Sequence, residues 1–418
     1  MSDIQLSYDI LSNIFKNKAF GSIELSKKLG YANNAAWVTK LVYGVLEKNV
    51  ELEYYLSRLA KKRPQASVVI VLKMGMYCIS FMDAMPNYAV VDNMVDMTAF
   101  IGKRQLKGFV NGLLKNYIAD KPSLPDDRVE RLSVETSVPL WLVRKYVKQY
   151  GYDVTKEFLS ANSVQEEHVR PNTRLTSLKH LCEICDRKDI KYRLSDCGGM
   201  WVKNDKKLRD LFNNGLITIQ SVTSMRCVQA MNIRSGDKVL DMCAAPGGKS
   251  LYIAEQASNV EVVACEIHPH RVELIQAYVN RMHASGISVI EQDSTQYIAG
   301  FEGLFDKVLC DVPCSGLGVA KKKPDVYLNL DMQSVEELTK TQYSILTNAC
   351  KYAKIGGKVI YSTCTLLREE NYNIVGRFVK ENTDWTVESY KQYLPDDQGT
   401  DGFFVAVLSR KQDVSARE

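Results

Sequence analysis

The chain has 418 residues, of which 45% are hydrophobic and 25% are charged, so its composition is that of a globular protein of two or three domains and not of a disordered chain. Eleven cysteines in so long a chain exclude a disulfide scaffold, and no run approaches the roughly 20 apolar residues of a membrane span, so we expect a cytoplasmic protein with free thiols. The net charge of +5 favours a nucleic-acid partner only weakly.

Residues 1–125 are predicted to form a bundle of about five helices. Apolar residues recur at spacings of three and four in LSYDILSNIF and in WVTKLVYGVLEKNVELEYYLSRLA, as they do on one face of a helix. The segment RPQASVVIVLKMGMYCISFMD is almost uniformly apolar, which predicts a buried central helix. The two prolines of DKPSLPDD then indicate a linker.

Two short segments concentrate positive charge. Between Ile101 and Ser123 the sequence has one acidic residue, Asp120, and five basic residues: Lys103, Arg104, Lys107, Lys115 and Lys121. The second cluster is formed by Lys321, Lys322 and Lys323. Each cluster is either a solvated face or a set of phosphate contacts, and composition alone does not decide between the two.

Residues 130–215 give mixed signals and predict a small α/β connector. VPLWLVRKYVKQYG and TSLKHLCEICDRKDI have helical spacing, whereas HVRPNTRLT and KYRLSDCGGMWVK indicate extended chain and a turn. Cys182 and Cys185 form a C-x-x-C pair near His180, but a structural zinc site needs further ligands, and Cys197 is the only other thiol nearby. We therefore predict no metal site.

Residues 216–418 alternate between strand-like and helix-like segments. The strand-like runs DKVLDM, VEVVACEI, SVIEQD, FDKVLCDV and GGKVIYSTC are separated by stretches of helix length. This alternation predicts an α/β domain with a parallel sheet covered by helices on both faces. GFFVAVLSR is a late strand, which we place antiparallel at the edge of the sheet.

Acidic residues stand where the predicted strands end. The first strand ends in Asp241 and is followed by CAAPGGKS, the second ends in Glu266, the third in Asp293 and the fourth in Asp311. Ligands of open parallel sheets bind beyond the carboxyl ends of the strands, and an acid at the second strand end suits the hydroxyls of a ribose. Small residues before a helix also expose backbone N–H groups to a ligand.

Three other interpretations of CAAPGGKS are weaker. A phosphate-binding loop requires a leading glycine, where this chain has Cys243, and the G-x-G-x-x-G pattern of a dinucleotide site is absent. A tight turn without a ligand is disfavoured because three further strand ends carry acids.

Two cysteines follow adjacent predicted strands. Cys314 lies in DVPCSGLGV after the fourth strand, and Cys364 lies in YSTCTL after the fifth. A single free cysteine is more often a core residue than a catalytic one, but two thiols at neighbouring strand ends, each in a turn of small polar residues, indicate chemistry. Spacing does not decide which of them is the nucleophile.

The motifs DMCAAPGGKS, DVPCSGLGV and YSTCTLLREEN, in this order, resemble the signatures of the RNA (cytosine-5) methyltransferases, and KKKPDV and DGFFVAVL fit the same family. The N-terminal helices with GFVNGLLKNY resemble the NusB-type RNA-binding bundle, and the combination is similar to the bacterial small-subunit (16S) ribosomal RNA methyltransferase B group. The resemblance implies three domains: a NusB-like helical RNA-binding domain (1–125), a small α/β connector (130–215) and a Rossmann-like S-adenosylmethionine-dependent methyltransferase domain (216–418).

The resemblance also implies the cofactor, S-adenosyl-L-methionine, and the residues that hold it. Glu266 would bind its ribose, Asp293 its adenine region, and Asp311 would line a pocket shared by the methyl donor and the target base. The other expected cofactor-binding residues are Arg271 and the run Cys243, Ala244, Ala245, Pro246, Gly247, Gly248 and Lys249. Ser221 and Met225 stand where family members often have an acid and a glutamine, so no donor contact is expected there.

The implied reaction is methylation of carbon 5 of a cytosine in RNA, specifically small-subunit ribosomal RNA. A thiolate that adds at carbon 6 makes the ring enamine-like, so that carbon 5 can attack the methyl group. In DNA cytosine methyltransferases the proline-cysteine pair, here Pro313 and Cys314, carries the nucleophile. In the RNA family Cys364 takes that role, Cys314 assists product release, and Asp311 is our candidate for stabilising the adduct.

Two alternatives belong to other functional classes. The chain could be a non-catalytic RNA-binding or ribosome-assembly protein with a relic methyltransferase domain, but intact thiols and strand-end acids argue against this. It could also be a DNA cytosine methyltransferase, which the NusB-type bundle disfavours. We expect RNA as the partner, a monomer, and no membrane association.

Overall fold

The structure is a computed structural model that describes residues 2–162, 166–203, 206–328 and 330–411. The chain divides into two compact units. The first, the helical unit, comprises Met1–Ser160 together with Ala320–Leu330, and the second, the sheet unit, comprises Ala161–Val319 and Asp331–Glu418. Within the described residues, no helix has the length and apolar composition needed to span a membrane.

The helical unit contains, in the part of the chain that is described, ten α-helices. They are α1 (Asp3–Asn17), α2 (Gly21–Lys28), α3 (Ala35–Glu47), α4 (Asn49–Leu59), α5 (Ala66–Phe81), α6 (Asn87–Phe100), α7 (Lys107–Ala119), α8 (Arg128–Thr136), α9 (Leu140–Tyr150) and α10 (Tyr152–Ser160).

Helix α5 is the buried centre of this unit, as its uniformly apolar sequence predicts. Every residue from Val68 to Cys78 is buried, and the helix packs against α1, α3, α4, α6 and α7. The prediction of about five helices before residue 125 is wrong, since the described residues there form seven. Helices α3 and α4 look like one helix in the sequence because the apolar spacing continues across Lys48, where the backbone (φ −91°, ψ 14°) leaves the helical conformation.

The segment Ala320–Leu330 packs with the helices although it comes late in the chain. The buried carboxylate of Asp325 accepts a hydrogen bond from the backbone N–H of Gly21 (3.1 Å), at the start of α2. Lys321 donates to the carbonyl oxygen of Phe158 (3.0 Å), and Leu328 packs against the helical core. Lys321 is therefore not part of a fully solvated basic face.

The sheet unit begins with a small antiparallel sheet in the order β2-β3-β1-β4. Its elements are β1 (Glu166–Pro171), α11 (Leu178–Arg187), β2 (Tyr192–Leu194), β3 (Met200–Lys203), α12 (Arg209–Asn213) and β4 (Ile217–Ile219). Apolar residues from β1, β3 and α11 form its core, for example Val169, Leu181 and Met200.

The large sheet has seven strands in the order β10-β11-β9-β8-β5-β6-β7, of which β5 to β9 are parallel. Its elements are α13 (Val222–Ala230), β5 (Lys238–Asp241), α14 (Gly248–Glu255), β6 (Glu261–Glu266), α15 (Pro269–Arg281), β7 (Ile287–Glu291), β8 (Phe305–Asp311), α16 (Met332–Tyr352), β9 (Ala353–Thr363), α17 (Tyr372–Glu381), β10 (Trp385–Tyr393) and β11 (Phe403–Arg410).

The central strands are buried on both faces, which explains their continuous apolar runs. Val239, Leu240, Val308 and Leu309 are fully buried. The chain order reverses between β5 and β8, and such a switch point opens a crevice at the carboxyl ends of the strands.

The antiparallel orientation of GFFVAVLSR is confirmed, but its place at the edge is wrong. This segment is β11, which pairs with both β9 and β10, so β10 is the edge strand. The sequence hides β10 because most of its side chains are polar and exposed, as one expects of a strand with only one neighbour.

Candidate active site

The turn after β5 forms an open helix N-terminus. Gly247, with φ +106°, is the N-cap of α14, and no side chain caps the helix there. Gly247 also packs close to Ile275, since a methyl group on it would lie 3.2 Å from that side chain. The turn therefore requires glycine, and it leaves the first N–H groups of α14 available to an anionic or polar ligand.

Asp241 ties the end of β5 to this helix. Its carboxylate is fully buried and accepts a hydrogen bond from the Ser250 hydroxyl (2.6 Å). Burial raises the pKa of Asp241 to about 6. The hydrogen bond between Asp241 and Ser250 thus joins the end of β5 to α14 and stabilises the turn between them.

Glu266 and Arg271 form one polar group at the end of β6. Glu266 is buried, and one carboxylate oxygen lies 3.2 Å from Nη1 of Arg271. Glu266 also accepts a hydrogen bond from the backbone N–H of His268 (3.1 Å), and Arg271 reaches the Ala245 carbonyl (3.4 Å). The two predicted residues are brought together, and Arg271 links Glu266 to the turn after β5.

Asp293 follows β7 by two residues and is held in a tight turn. One of its carboxylate oxygens accepts hydrogen bonds from the N–H (2.9 Å) and the hydroxyl (2.7 Å) of Thr295. The next residue, Ser294, donates to the Met242 carbonyl. The structure therefore places Asp293 beside the end of β5, at the same edge of the sheet as Glu266.

An ion pair stands where β5, β8 and β9 end. Nζ of Lys249 lies 2.5 Å from the Asp311 carboxylate, whose other oxygen accepts from the Ser362 hydroxyl (2.8 Å). Burial lowers the pKa of Lys249, but the Asp311 carboxylate, together with Cys227 and Asp241, outweighs burial and leaves that pKa above its ordinary value. The site thus holds a fixed positive and a fixed negative group at its centre.

The two predicted thiols are in contact. Sγ of Cys314 lies 3.3 Å from Sγ of Cys364, and both side chains are partly exposed. The hydrogen bond with Cys364, together with burial, raises the pKa of Cys314 well above its ordinary value. Cys314 therefore keeps its proton and can donate a hydrogen bond to a thiolate at Cys364.

Gln220 is a polar residue of this region that the sequence did not single out. Its amide oxygen accepts a hydrogen bond from Nε of the buried Arg170 (2.6 Å), which fixes the orientation of the amide. Its amide nitrogen is buried and has no hydrogen-bond partner among the described residues. A methyl group on Gly248 would lie 4.0 Å from this nitrogen, so the free donor lies beside the start of α14.

These groups fit S-adenosylmethionine. The amino-acid end of such a molecule needs hydrogen-bond donors, which the N-terminus of α14 and the orphaned Gln220 nitrogen supply. Its ribose would need an acceptor, and the Glu266 carboxylate is a group that could accept from it. Ser221 caps α13 and Met225 is buried in the core, so both have structural roles. No group of three metal-binding side chains occurs in the described ranges.

A cavity of about 510 Å³ lies at the opposite ends of the parallel strands. It is lined by residues before β8 and around the ends of β9 to β11, including Cys350, Trp385 and Arg410. None of the predicted site residues borders it. The predicted site residues lie at or near the carboxyl ends of the parallel strands.

Comparisons with known proteins agree with this geometry. The family model described as 16S rRNA methyltransferase RsmB/F matches residues 228–409, and the NusB family model matches residues 6–119. The chain is 30% identical to the probable ribosomal RNA small subunit methyltransferase B of Bacillus subtilis over 96% of this chain and 95% of that protein. It is 28% identical to the ribosomal RNA small subunit methyltransferase B of Erwinia tasmaniensis over 90% and 91%.

Two solved structures share the fold. The crystal structure of PH0851 superposes with a TM-score of 0.80 over 98% of both chains at 20% identity. NSun6 from Pyrococcus horikoshii with SFG superposes with a TM-score of 0.56 over 65% of this chain and 97% of that one, at 18% identity.

Proposed function

The chain belongs to the family of RsmB/F-type 16S rRNA methyltransferases, and on that premise we propose that it methylates carbon 5 of a cytosine in small-subunit ribosomal RNA through a covalent bond from Cys364. It is an S-adenosylmethionine-dependent RNA methyltransferase with a NusB-like helical domain and a Rossmann-like domain. The observation that carries the proposal is the contact of the two thiols beside the Lys249–Asp311 ion pair.

The first proposed step is addition of the Cys364 thiolate to carbon 6 of the cytosine. The thiolate is the reactive form of cysteine, and a hydrogen bond from the Cys314 thiol at 3.3 Å would stabilise it. The electron pair of the double bond between carbons 5 and 6 moves toward carbon 5, which becomes nucleophilic. The Asp311 carboxyl group stabilises the ring at this stage, and its ion pair with Lys249 fixes its position.

When bound, S-adenosylmethionine supplies an electrophilic methyl group on a sulfonium ion. The turn Cys243–Lys249, with Gln220, would hold its amino-acid end, Glu266 its ribose and Asp293 its adenine region. Arg271 orients Glu266 by direct contact. After methylation, a base takes the proton from carbon 5, the electron pair of that bond re-forms the double bond between carbons 5 and 6, and Cys364 leaves as a thiolate; Cys314 assists this release.

The proposal includes the predicted division of labour. The domain of residues 1–125 binds RNA, the connector of 130–215 supports the donor site, and the domain of 216–418 carries out the reaction. The target base must leave its stack to reach Cys364, which single-stranded RNA allows at low cost. All eleven cysteines are free, which supports a reducing, cytoplasmic location. We propose a monomer.

Labelled RNA, incubated with the donor and then run on a denaturing gel, tests the nucleophile. Cys364→Ala should abolish methylation and give no RNA–protein adduct, because the proposal assigns the attack on carbon 6 to Cys364 and only release to the neighbouring Cys314. Cys314→Ala should form the adduct and stall, so a band that survives denaturation should accumulate. The adduct in Cys364→Ala only would reverse the two roles, and full activity in both variants would refute the covalent mechanism. Bisulfite mapping of ribosomal RNA, with DNA as a control substrate, tests the substrate.

A further inference from the structure

A buried carboxylate connects the two loops that carry the thiols. Glu370 is fully buried and lies just before α17. One of its oxygens accepts a hydrogen bond from the backbone N–H of Ser315 (2.8 Å). The other accepts from the hydroxyls of Ser315 (2.6 Å) and Thr365 (2.8 Å). Ser315 is the residue after Cys314, and Thr365 is the residue after Cys364.

Each thiol is also fixed on its other side. The amide nitrogen of Gln342 donates to the Pro313 carbonyl (2.9 Å), before Cys314, and to Glu370 itself (3.0 Å). The hydroxyl of Thr363, before Cys364, donates to Asn371 (2.6 Å). The residues on both sides of each cysteine are therefore held by a hydrogen-bond network that contains Glu370 and its neighbour Asn371.

Simple core packing does not account for Glu370. A buried carboxylate costs free energy unless it is paired, and no ion-pair partner of Glu370 exists among the described residues. Its cost is offset by four hydrogen bonds, three of which come from the residues that follow the thiols. The carboxylate also lies close enough to Cys314 to contribute to the raised pKa of that thiol, after the hydrogen bond with Cys364 and burial.

We propose that Glu370 is a positioning residue that holds Cys314 and Cys364 at contact distance by bridging Ser315 and Thr365. The inference rests on the proposed two-thiol mechanism but concerns the distance between the thiols. Without Glu370 the two loops keep only their direct contacts, namely the one between the Ser315 and Thr365 hydroxyls (2.7 Å) and the hydrogen bond from the Gly318 N–H to the Cys364 carbonyl (2.8 Å), so the distance between the two sulfur atoms is held less tightly. Adduct formation at Cys364 and product release through Cys314 then lose the fixed distance between the two sulfur atoms on which both steps depend.

The distance between the thiols can be measured without RNA or donor. An azo oxidant such as diamide takes two electrons and two protons from the thiol pair, is reduced to a hydrazine, and leaves a disulfide between Cys314 and Cys364. Peptide mapping by mass spectrometry gives the rate of this one cross-link. The rate is high only when both sulfur atoms stay close together, so it reports positioning directly.

In Glu370→Ala the rate of cross-linking and kcat should both fall by about tenfold or more, with the KM for the donor unchanged, since small displacements of reacting groups cost this much. Glu370→Gln should restore both to within about threefold of wild type, because its oxygen can serve the Ser315 N–H while its nitrogen donates to the two hydroxyls. Thr365→Val keeps the shape of the side chain, removes one arm of the bridge and should give an intermediate rate, which keeps the test usable if Glu370→Ala does not fold. Glu381→Ala, an exposed glutamate at the end of α17, is the matched control and should cross-link like wild type.

Wild-type rates of cross-linking in folded Glu370→Ala and in Thr365→Val would overturn the proposal. So would Glu370→Gln as defective as Glu370→Ala, since charge and not the bridge would then be the cause. The proposed function fails differently: Cys364→Ala would retain methylation, whatever the cross-linking rates of the Glu370 variants.

Discussion

Replacing Arg170 by methionine should strongly destabilise the sheet unit. The Arg170 and Glu255 side chains are only 1% and 3% exposed, and Nη1 of Arg170 lies 2.6 Å from the Glu255 carboxylate. The guanidinium also stacks over Tyr252 (4.6 Å). Arg170→Met would leave the carboxylate buried with only the donors of Thr173, and breaking a buried pair in this way costs about 3–5 kcal/mol.

Hydrogen exchange measures this loss locally, which matters because a chain of two units need not unfold in one step. A cost of about 4 kcal/mol should speed exchange in β1 and α14 by about three orders of magnitude, while α5 in the helical unit stays protected. The double variant Arg170→Met with Glu255→Gln should recover at least about 2 kcal/mol, because no buried charge remains unpaired.

The matched control is Arg410→Met, which breaks a pair with Asp384 whose side chains are 38% and 53% exposed. An exposed pair should cost less than about 1 kcal/mol. If Arg170→Met cost no more than Arg410→Met, or if the double variant were no more stable than Arg170→Met, the buried pair would not join β1 to α14 as the contacts indicate.

Three further predictions concern pH, the donor and RNA. The pKa of Asp241 is about 6 in the folded chain against 3.8 ordinarily, so its contribution to stability is complete below pH 4 and is lost as pH rises through 6. In wild type the free energy of unfolding should therefore decline by about 3 kcal/mol between pH 4 and pH 7, and Asp241→Asn should remove this decline. Urea unfolding, monitored by hydrogen exchange in β5, measures it, and an unchanged decline in the variant would contradict this assignment. Glu266→Ala and Asp293→Ala should each weaken donor binding by roughly 1.5–3 kcal/mol in calorimetry without loss of fold, and unchanged affinity in both would remove them from the donor site. The third set of changes neutralises three basic residues of the helical unit, Lys103, Arg104 and Lys107. The slope of log affinity for RNA against log salt concentration should then become less steep by about two to three, and an unchanged slope would mean that this cluster does not contact phosphates.

The sequence predicts the large sheet and its functional edge because both depend on local signals. Apolar β-branched runs predict the parallel strands, and the rule for parallel sheets then brings their last residues together. Asp311, Cys314 and Cys364 follow neighbouring strands and do lie at one edge, with the thiols in contact. Strand β10 and the break between α3 and α4 give no such signal, since an exposed edge strand has few apolar residues and an uninterrupted apolar spacing conceals the break in the helix at Lys48.

The residues that support the site could not be predicted because their roles depend on distant partners. Gln220 follows β4 and lies next to the turn after β5. Because its amide oxygen accepts the hydrogen bond from Arg170, its amide nitrogen faces the start of α14. Glu370 belongs to a motif recognised from the sequence, yet its four hydrogen bonds come from Ser315, Gln342 and Thr365 on three separate segments. A motif identifies the groups that react, because their chemical type is constrained. The groups that hold them are constrained only by where the fold brings other polar atoms, so they become visible in the hydrogen bonds and not in the spacing.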